Sequence, residues 1–285
     1  MAGDRQAMNY RHAYHAGNPA DVIKHAVLAF VLGHLTQKDT PLRVVDTHAG
    51  IGRYDLTSDA AERTGEWVEG IGRLWGRDLP EPLAAFLDPY LDCVARLNPD
   101  GRLRHYPGSP EVARLMTRPV DGLTFCELHP EDAEALAGLY RREARAKVIE
   151  LDGWLAPRAF LPPKEKRGVV LIDPPFEQAG DYDRLVDALA SGYRRFATGV
   201  YLLWYPVKDA VQVKRFHRMI ADLAIPKCLV IEATWRPVDG KRLAGAGLVT
   251  INAPYTLAPV CRAAGKSLWD VLGVPAGRFL VSGDA

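Results

Sequence analysis

Residues 169–178 of the chain, VVLIDPPFEQ, join the pattern of a buried strand to side chains that can do chemistry. Asp173 follows four apolar residues and precedes Pro174, Pro175 and Phe176. Because proline cannot donate to a sheet ladder, the strand must end there in a stiff loop. Ligands bind at this carboxyl end of the strands in open α/β sheets. A carboxylate, a proline carbonyl and an aromatic ring in that loop would together grip a planar group that bears an NH2.

These residue types predict direct methyl transfer to an amino group, and N6 of adenine is the best match. That nitrogen is a poor nucleophile because its lone pair is delocalised into the ring. Asp173 and the Pro174 carbonyl can each accept one N–H, which favours the tetrahedral nitrogen that forms as a methyl group is attacked. Phe176 would stack on the base and contribute about 1–3 kcal/mol. A paired or stacked base must be flipped out to reach this pocket.

A second group of candidate residues follows the other predicted strands. The loop 46–52, DTHAGIG, comes after the first strand, and its small residues, Gly50 among them, let a ligand approach the backbone. It is neither a P-loop nor a complete dinucleotide fingerprint. Glu127 ends the second strand and can accept both hydroxyls of a ribose. Asp152 and Gly153 end the third strand, where they would meet an adenine. Together these loops predict a site for S-adenosyl-L-methionine.

Two groups of basic side chains near the amino terminus each have two possible interpretations. Lys24 and His25 lie on the first predicted helix, where they could form a solvated face or lie near the carboxylate of the cofactor. His12 and His15 have the spacing of metal ligands. No Cys or carboxylate is spaced to complete such a site, and the predicted chemistry needs no metal. We therefore expect no metal.

Composition limits the class of protein and its surroundings. The chain has 285 residues and a net charge of +1, so any RNA contact must come from a local basic patch. The four cysteines are far apart, which is typical of a reducing cytosol and excludes a Cys-rich zinc site. No secretion signal or membrane-spanning run occurs. We expect a cytoplasmic protein with no membrane partner and, without an exposed heptad pattern or long edge strand, a monomer.

The positions of the predicted strands define the fold class. Alternation of strands and helices implies right-handed crossovers and a mostly parallel sheet. An antiparallel last pair distinguishes the Rossmann-like fold of class I S-adenosylmethionine-dependent methyltransferases from the dehydrogenase fold. A helix is predicted to begin after Asn18, an N-cap residue followed by a proline. The seven predicted strands are 42–46, 123–127, 147–151, 168–173, 199–205, 228–234 and 248–252.

The alternation lapses between about residues 47 and 104. Amphipathic helices are predicted there at 62–75 and 83–97, which indicates a helical insertion packed on the main domain. We therefore divide the chain into residues 1–52, with the first helix and strand, an inserted helical subdomain at 53–104, and the rest of the methyltransferase domain at 105–285. The arginines of the insertion are the preferred candidates for gripping RNA phosphates: Arg53, Arg63, Arg73 and Arg77.

With these residues assembled, the chain resembles the 23S rRNA adenine-N6 methyltransferase J family over nearly its whole length. The segments HAGN with ADVIKH, within residues 15–25, and DTHAGIGRY, residues 46–54, are specific to that family. The DPPF motif is shared by many amino-methyltransferases. One departure is Phe176, because better-known members have tyrosine there; the phenylalanine retains the stacking surface and lacks only the hydroxyl.

The resemblance implies roles for particular residues. Asp173 is implied as the catalytic acceptor, and Tyr10 and His12 as groups that close over the target base or the cofactor. Pro174, Pro175 and Phe176 complete the predicted catalytic loop. The residues predicted to bind the cofactor, from the strand ends and the resemblance together, are Lys24, His25, His48, Gly50, Ser109, Glu127, Asp152, Gly153 and Asp173.

The leading hypothesis is S-adenosylmethionine-dependent methylation of N6 of a specific adenine in 23S rRNA, with free or partly assembled rRNA as substrate. A DNA adenine-N6 methyltransferase would share DPPF, but no separate target-recognition domain is expected after the core. A catalytically silent RNA-binding module would have no reason to keep an acid in DPPF. A methyltransferase for glutamine or a small amine is a further alternative.

Overall fold

Ten strands in two sheets organise the chain, and the computed structural model describes residues 12–284. The larger sheet has eight strands and the smaller one is a hairpin of two. The strands are β1 (Arg43–Asp46), β2 (Arg53–Asp55), β3 (His105–Pro107), β4 (Gly122–Glu127), β5 (Ala146–Glu150), β6 (Gly168–Ile172), β7 (Val200–Val207), β8 (Cys228–Thr234), β9 (Gly245–Ile251) and β10 (Arg278–Gly283).

Helices connect and cover these strands. Eleven α-helices occur among the described residues: α1 (Pro19–Leu35), α2 (Asp59–Thr64), α3 (Glu66–Glu69), α4 (Ile71–Leu74), α5 (Glu81–Leu97), α6 (Ser109–Met116), α7 (Pro130–Tyr140), α8 (Ala156–Phe160), α9 (Asp181–Arg195), α10 (Ala210–Asp222) and α11 (Leu257–Leu272). Short 3-10 turns span His12–Tyr14 and Gly153–Leu155. Between residues 12 and 284, no helix is both long and apolar enough to cross a membrane.

The order of the large sheet is β10-β8-β9-β7-β6-β1-β4-β5. Strands β5, β4, β1, β6 and β7 are parallel, and β9, β8 and β10 add antiparallel pairings. This confirms the predicted fold class and all seven predicted strands. The large sheet has one strand more than predicted, because the edge strand β10 is mostly exposed and has a weak hydrophobic pattern. The hairpin of β2 and β3 was not predicted either. Because β1, β4, β5, β6 and β7 are parallel, their following loops meet at one edge.

Each face of the sheet packs against its own set of helices. Side chains alternate between the faces along each strand, so Val44 faces one core and Val45 the other. Helices α1 and α11 cover the first face, with α5 packed against both of them, and α9 and α10 belong to the core on the second face. Helix α1 begins as predicted, since the Oδ1 of Asn18 accepts the N–H of Asp21 at 2.9 Å.

The predicted helix over 62–75 is broken into three short helices. Gly65 adopts a left-handed backbone, with φ of 62°, and ends α2. Gly70 separates α3 from α4, and a Cβ there would lie 2.2 Å from the carbonyl oxygen of Gly17. The amphipathic pattern could not show this contact, because Gly17 is distant in sequence. The second predicted helix is present as α5, whereas the boundaries of an inserted subdomain at 53–104 stay a prediction.

Candidate active site

A cavity of about 470 Å³ lies where the loops after β1, β4, β5, β6 and β7 meet. The cavity brings together every predicted site residue within residues 12–284, and Tyr10 lies outside that range. The predicted residues that line it are His12, Lys24, His25, His48, Gly50, Ser109, Glu127, Asp152, Gly153, Asp173, Pro174, Pro175 and Phe176.

Glu127 is held rigidly at the end of β4. Its Oε2 accepts the N–H of Gly50 at 2.8 Å, and its Oε1 accepts the N–H of His129 at 2.8 Å. Burial raises the pKa of this carboxyl, and the two backbone donors oppose that effect. Since each carboxylate oxygen can accept more than one hydrogen bond, Glu127 remains able to bind two neighbouring hydroxyls at the cavity wall.

His48 and Gly153 bring the loops after β1 and β5 into direct contact. A Cβ on Gly153 would lie 2.1 Å from the carbonyl oxygen of Thr47, so only glycine allows this approach. The Nδ1 of His48 is 2.7 Å from the Thr47 hydroxyl, and its ring packs edge-on against Trp154. Burial, with a contribution from Arg184, lowers the pKa of His48 to about 3. The imidazole is therefore neutral at pH 7.

Arg184 is a site residue that the sequence did not predict. It extends from α9 to place its guanidinium 4.6 Å from the ring centroid of Trp154 and 3.7 Å from Asp152. Asp152 also accepts the N–H of Trp154 at 3.1 Å. The arginine belongs to a helix with a regular amphipathic pattern, so its spacing alone could not have distinguished it from a solvated side chain.

Lys24 lies between two carboxylates. Its Nζ is 2.6 Å from the Oδ2 of Asp173 and 2.8 Å from the Oδ1 of Asp21. The other oxygen of Asp21 contacts His12 at 2.9 Å and accepts the N–H of Gly17 at 3.0 Å. Burial alone would lower the pKa of Lys24, but Asp173 and Asp21 outweigh it and raise the pKa. Lys24 is thus a buried cation beside DPPF, which excludes the solvated-face interpretation.

His25 is a buried, neutral side chain on the next position of α1. Its Nδ1 is 2.9 Å from the hydroxyl of Tyr106, which in turn accepts a hydrogen bond from Tyr90. Burial and the neighbouring Lys24 lower the pKa of His25 to about 3. Its Nε2 has no hydrogen-bond partner among residues 12–284. A buried polar atom without a partner beside a cavity is typical of a group completed by a ligand.

Asp46, at the end of β1, is a second buried group that could accept a further hydrogen bond. Its Oδ1 accepts the N–H of His48 at 3.3 Å, and Ser109 also hydrogen-bonds to the carboxyl. Its Oδ2 has no partner in the described part of the chain. Burial, with the nearby charge of Asp173, raises the pKa of Asp46 to about 7. The acid therefore changes its charge near neutral pH.

The DPPF loop places a strained aromatic residue against the cavity. Phe176 has a φ of 52°, which is unusual for a bulky residue and implies that surrounding contacts impose the conformation. Its ring lies edge-on to Tyr182 at 4.9 Å and to Trp204 at 5.8 Å between centroids. Trp204 was missed as a lining residue. The period-2 alternation of β7, which puts Trp204 and Pro206 on one face, could have indicated it.

The residues present fit the predicted cofactor. Glu127 offers acceptors for ribose hydroxyls, the contact of Gly153 with the β1 loop forms a narrow wall, and Asp46 and His25 have unused polar atoms. Within residues 12–284, no group of three His, Cys, Asp or Glu side chains could hold a metal ion. The expectation that the protein uses no metal stays a prediction.

This sheet order, with Glu127 at the end of β4 and an Asp-Pro-Pro-aromatic loop after β6, defines a class I S-adenosylmethionine-dependent methyltransferase. The particular family follows from the sequence. Residues 39–282 match the family model described as ribosomal RNA large subunit methyltransferase D, RlmJ, and the chain belongs to that family. It is accordingly a methyltransferase that acts on ribosomal RNA, with S-adenosyl-L-methionine as its cofactor.

Named relatives and a solved structure agree with this family. The chain is 45% identical to ribosomal RNA large subunit methyltransferase J of Escherichia coli over 88% of its length and 89% of that protein. It is 44% identical to the protein of the same name from Haemophilus influenzae, with the same coverage. The crystal structure of protein LPL1258 from Legionella pneumophila aligns with a TM-score of 0.87 at 34% identity, over 95% of this chain and 99% of that one.

Proposed function

We propose that this enzyme transfers the methyl group of S-adenosyl-L-methionine to N6 of one adenine in 23S rRNA. The observation that supports this most directly is the position of Asp173, Pro174 and Phe176 in the same cavity as Glu127 and Gly50. A site for an amino group and a site for a ribose therefore share one enclosed space. The curated relatives are named as methyltransferases of large-subunit rRNA, which supports 23S rRNA as the substrate.

In this proposal Glu127 binds the ribose hydroxyls of the cofactor and Asp152 with Gly153 borders its adenine. The bound cofactor supplies an electrophilic methyl group on a sulfonium. His48 and Ser109 complete the wall near Asp46. The neutral state of His48 matters here, because a protonated imidazole beside a cationic cofactor would oppose binding.

Asp173 acts as the principal acceptor for the reacting amine. One of its oxygens is paired with Lys24 at 2.6 Å, which leaves Oδ1 to accept an N6 hydrogen. The Pro174 carbonyl accepts the other hydrogen, so the nitrogen lone pair turns away from the ring and toward the methyl group. Once methylated, the nitrogen loses a proton through Asp173 to solvent. Lys24 is a positioning residue, because it fixes the carboxylate and balances its charge.

Phe176 and Trp204 would hold the flipped base. Both rings border the cavity on the same side as the DPPF loop, and Phe176 provides the stacking surface. Since flipping a base out of a folded ribosome costs more than flipping it from loose RNA, free or partly assembled 23S rRNA should be the better substrate. We also propose that the enzyme works in the cytoplasm and as a monomer. Sedimentation analysis of the purified chain checks the monomeric state.

The decisive experiment transfers labelled methyl groups to protein-free 23S rRNA, with duplex DNA in parallel, and separates the digested nucleosides. Label in N6-methyladenosine from RNA alone supports the proposal. Label in DNA would favour a DNA adenine methyltransferase, and label at another nucleoside of the RNA would contradict N6 of adenine. Repeating the reaction with assembled ribosomal subunits tests base access, and equal rates on both substrates would contradict the flipping argument.

A further inference from the structure

The loop between β8 and β9 borders the cavity. Trp235 donates its backbone N–H to Ala244, which closes the hairpin, and Leu243 lines the cavity. The loop is also tied to the end of β7. The N–H of Gly240 donates to the carbonyl of Lys208 at 3.0 Å, and the N–H of Ala244 donates to Val207 at 2.9 Å. Its position beside the active site is therefore fixed by backbone hydrogen bonds.

This region has an excess of basic side chains. The segments 207–209 and 235–244 contain four cations and two carboxylates. All four cations are exposed, and none pairs with a carboxylate within 4.0 Å among the described residues. We name these four side chains the basic rim: Lys208, Arg236, Lys241 and Arg242.

The two carboxylates of these segments are engaged by backbone groups. The Oδ1 of Asp239 accepts the N–H groups of Lys241 and Arg242 at 2.9 and 3.1 Å. The Oδ1 of Asp209 caps α10 by accepting two N–H groups at 2.8 and 3.1 Å. Neither acid therefore closes an ion pair with the rim, and the cationic heads remain open to an anionic ligand.

The arginines that the sequence favoured for RNA are placed differently. Arg53 pairs with the buried carboxylate of Glu111 at 2.6 Å, and Arg73 contacts Glu69 and the carbonyl of Leu272. The charges of Arg53 and Arg73 are therefore already partly balanced within the chain. Arg63 and Arg77 are exposed but do not line the cavity, whereas Lys208 of the rim does. The rim is therefore the better-placed cationic surface at the cavity.

We infer that the basic rim binds the phosphates that flank the flipped adenosine. This inference rests on the proposed function, because it takes RNA as the substrate and DPPF as the pocket for its base. Lys208 and Leu243 line the same cavity as Phe176 and Trp204, so the backbone of a base held there would pass close to the rim. With a net charge of only +1, the chain has no general attraction for RNA, so local cations must supply the phosphate contacts.

The test compares RNA binding by wild-type enzyme and by the double variant Lys241→Ala, Arg242→Ala across a range of salt concentrations, with a protein-free 23S rRNA transcript as probe. Loss of two phosphate contacts should weaken binding roughly 10-fold at 0.1 M salt and reduce the salt slope by about 1.5. The KM for RNA should rise with little change in kcat. The charge-preserving variant Lys241→Arg, Arg242→Lys should bind like wild type.

A matched control removes the same charges elsewhere. Arg262 and Lys266 are exposed on α11, do not line the cavity and pair with no carboxylate among residues 12–284. Unchanged affinity and slope in the rim variant, or an equal loss in Arg262→Ala, Lys266→Ala, would overturn the inference. Cofactor affinity and melting temperature verify that both variants are folded. Because binding is measured without methyl transfer, the result is independent of whether N6 is the atom methylated.

Discussion

The Nζ of Lys24 lies 2.6 Å from the Oδ2 of Asp173, which joins the first helix to the DPPF loop across 149 positions of sequence. The same ammonium contacts Asp21, so one buried cation pairs with two carboxylates. The pair fixes the position of the Asp173 carboxylate and leaves its Oδ1 facing no partner in this contact. The geometry therefore links the integrity of α1 directly to the chemistry proposed for the loop after β6.

Replacing Lys24 by alanine should impair both turnover and stability. Removing one partner of a buried ion pair leaves uncompensated charge, here on Asp21 and Asp173, and we expect the free energy of unfolding to fall by about 3 kcal/mol. The rate of methyl transfer should fall more than 10-fold at a temperature where the variant is folded, because Asp173 loses its orientation. Lys24→Arg should recover part of both losses. Full turnover in Lys24→Ala would remove the positioning role.

Asp173→Asn should lower kcat by about 10²- to 10³-fold, since an amide accepts the N6 hydrogen less strongly than a carboxylate. Asp173→Ala should be at least as slow. Cofactor affinity, measured by calorimetry, should stay within a few-fold of wild type for both variants. A large loss of cofactor affinity would instead favour the cofactor-binding role that was also predicted for this acid over the role of acceptor for the target base.

Substitutions at Phe176 distinguish the contribution of ring stacking from that of a hydroxyl contact. Phe176→Ala should raise the KM for RNA about 10-fold or more, as expected when a stacking contact of about 1–3 kcal/mol is lost. Phe176→Tyr keeps the ring and should stay close to wild type in steady-state assays. An alanine variant with an unchanged KM, tested beside the tyrosine variant, would show that the ring does not hold the base.

The raised pKa of Asp46 predicts how the free energy of unfolding depends on pH. Burial raises its pKa to about 7 in the folded protein, from an ordinary value near 3.8. Between these two values the folded state holds a proton that the unfolded state has released, so Asp46 destabilises the fold as pH rises. Asp46→Asn should therefore gain stability over wild type from about pH 4 to pH 7, on the order of a few kcal/mol, and then level off.

Other groups contribute to the wild-type curve, which is why the difference between variants is the informative quantity. Burial lowers the pKa of His25 and His48 to about 3 in the folded protein. The stability that these neutral imidazoles contribute is therefore lost as the pH falls from about 6.5 toward 3. The raised pKa of Glu127, like that of Asp46, makes the fold less stable as the pH rises. The exposed Asp222 provides a control, because Asp222→Asn makes the same acid-to-amide change outside the cavity and is compared with Asp46→Asn in chemical denaturation. A flat difference for Asp46→Asn would refute the assignment.

Much of the site was predictable because local patterns indicate where strands end. Asp173, Glu127 and Asp152 each follow a short apolar run, and the parallel sheet places such ends at one edge. Arg184 and Trp204 were not predicted. Each belongs to a regular element, and its role depends on which neighbour that element faces.

The insertion illustrates the limit of periodicity. Residues 62–75 have the spacing of a single amphipathic helix, yet Gly65 and Gly70 divide the segment into three. The break at Gly70 comes from close contact with the backbone of Gly17 and Asn18. Such a contact involves residues more than fifty positions apart, and no window of sequence contains both partners.

The fold class and the order of the loops that line the cavity could be read from the sequence, because strand patterning and proline geometry act locally. Only the tertiary structure decided that Lys24 is a buried cation paired with Asp173, that Asp46 is buried enough to titrate near pH 7, and that Lys208 adjoins the β8–β9 loop. Burial and charge pairing depend on packing between distant elements, and these determine which ionisable groups stay charged and which change charge near neutral pH.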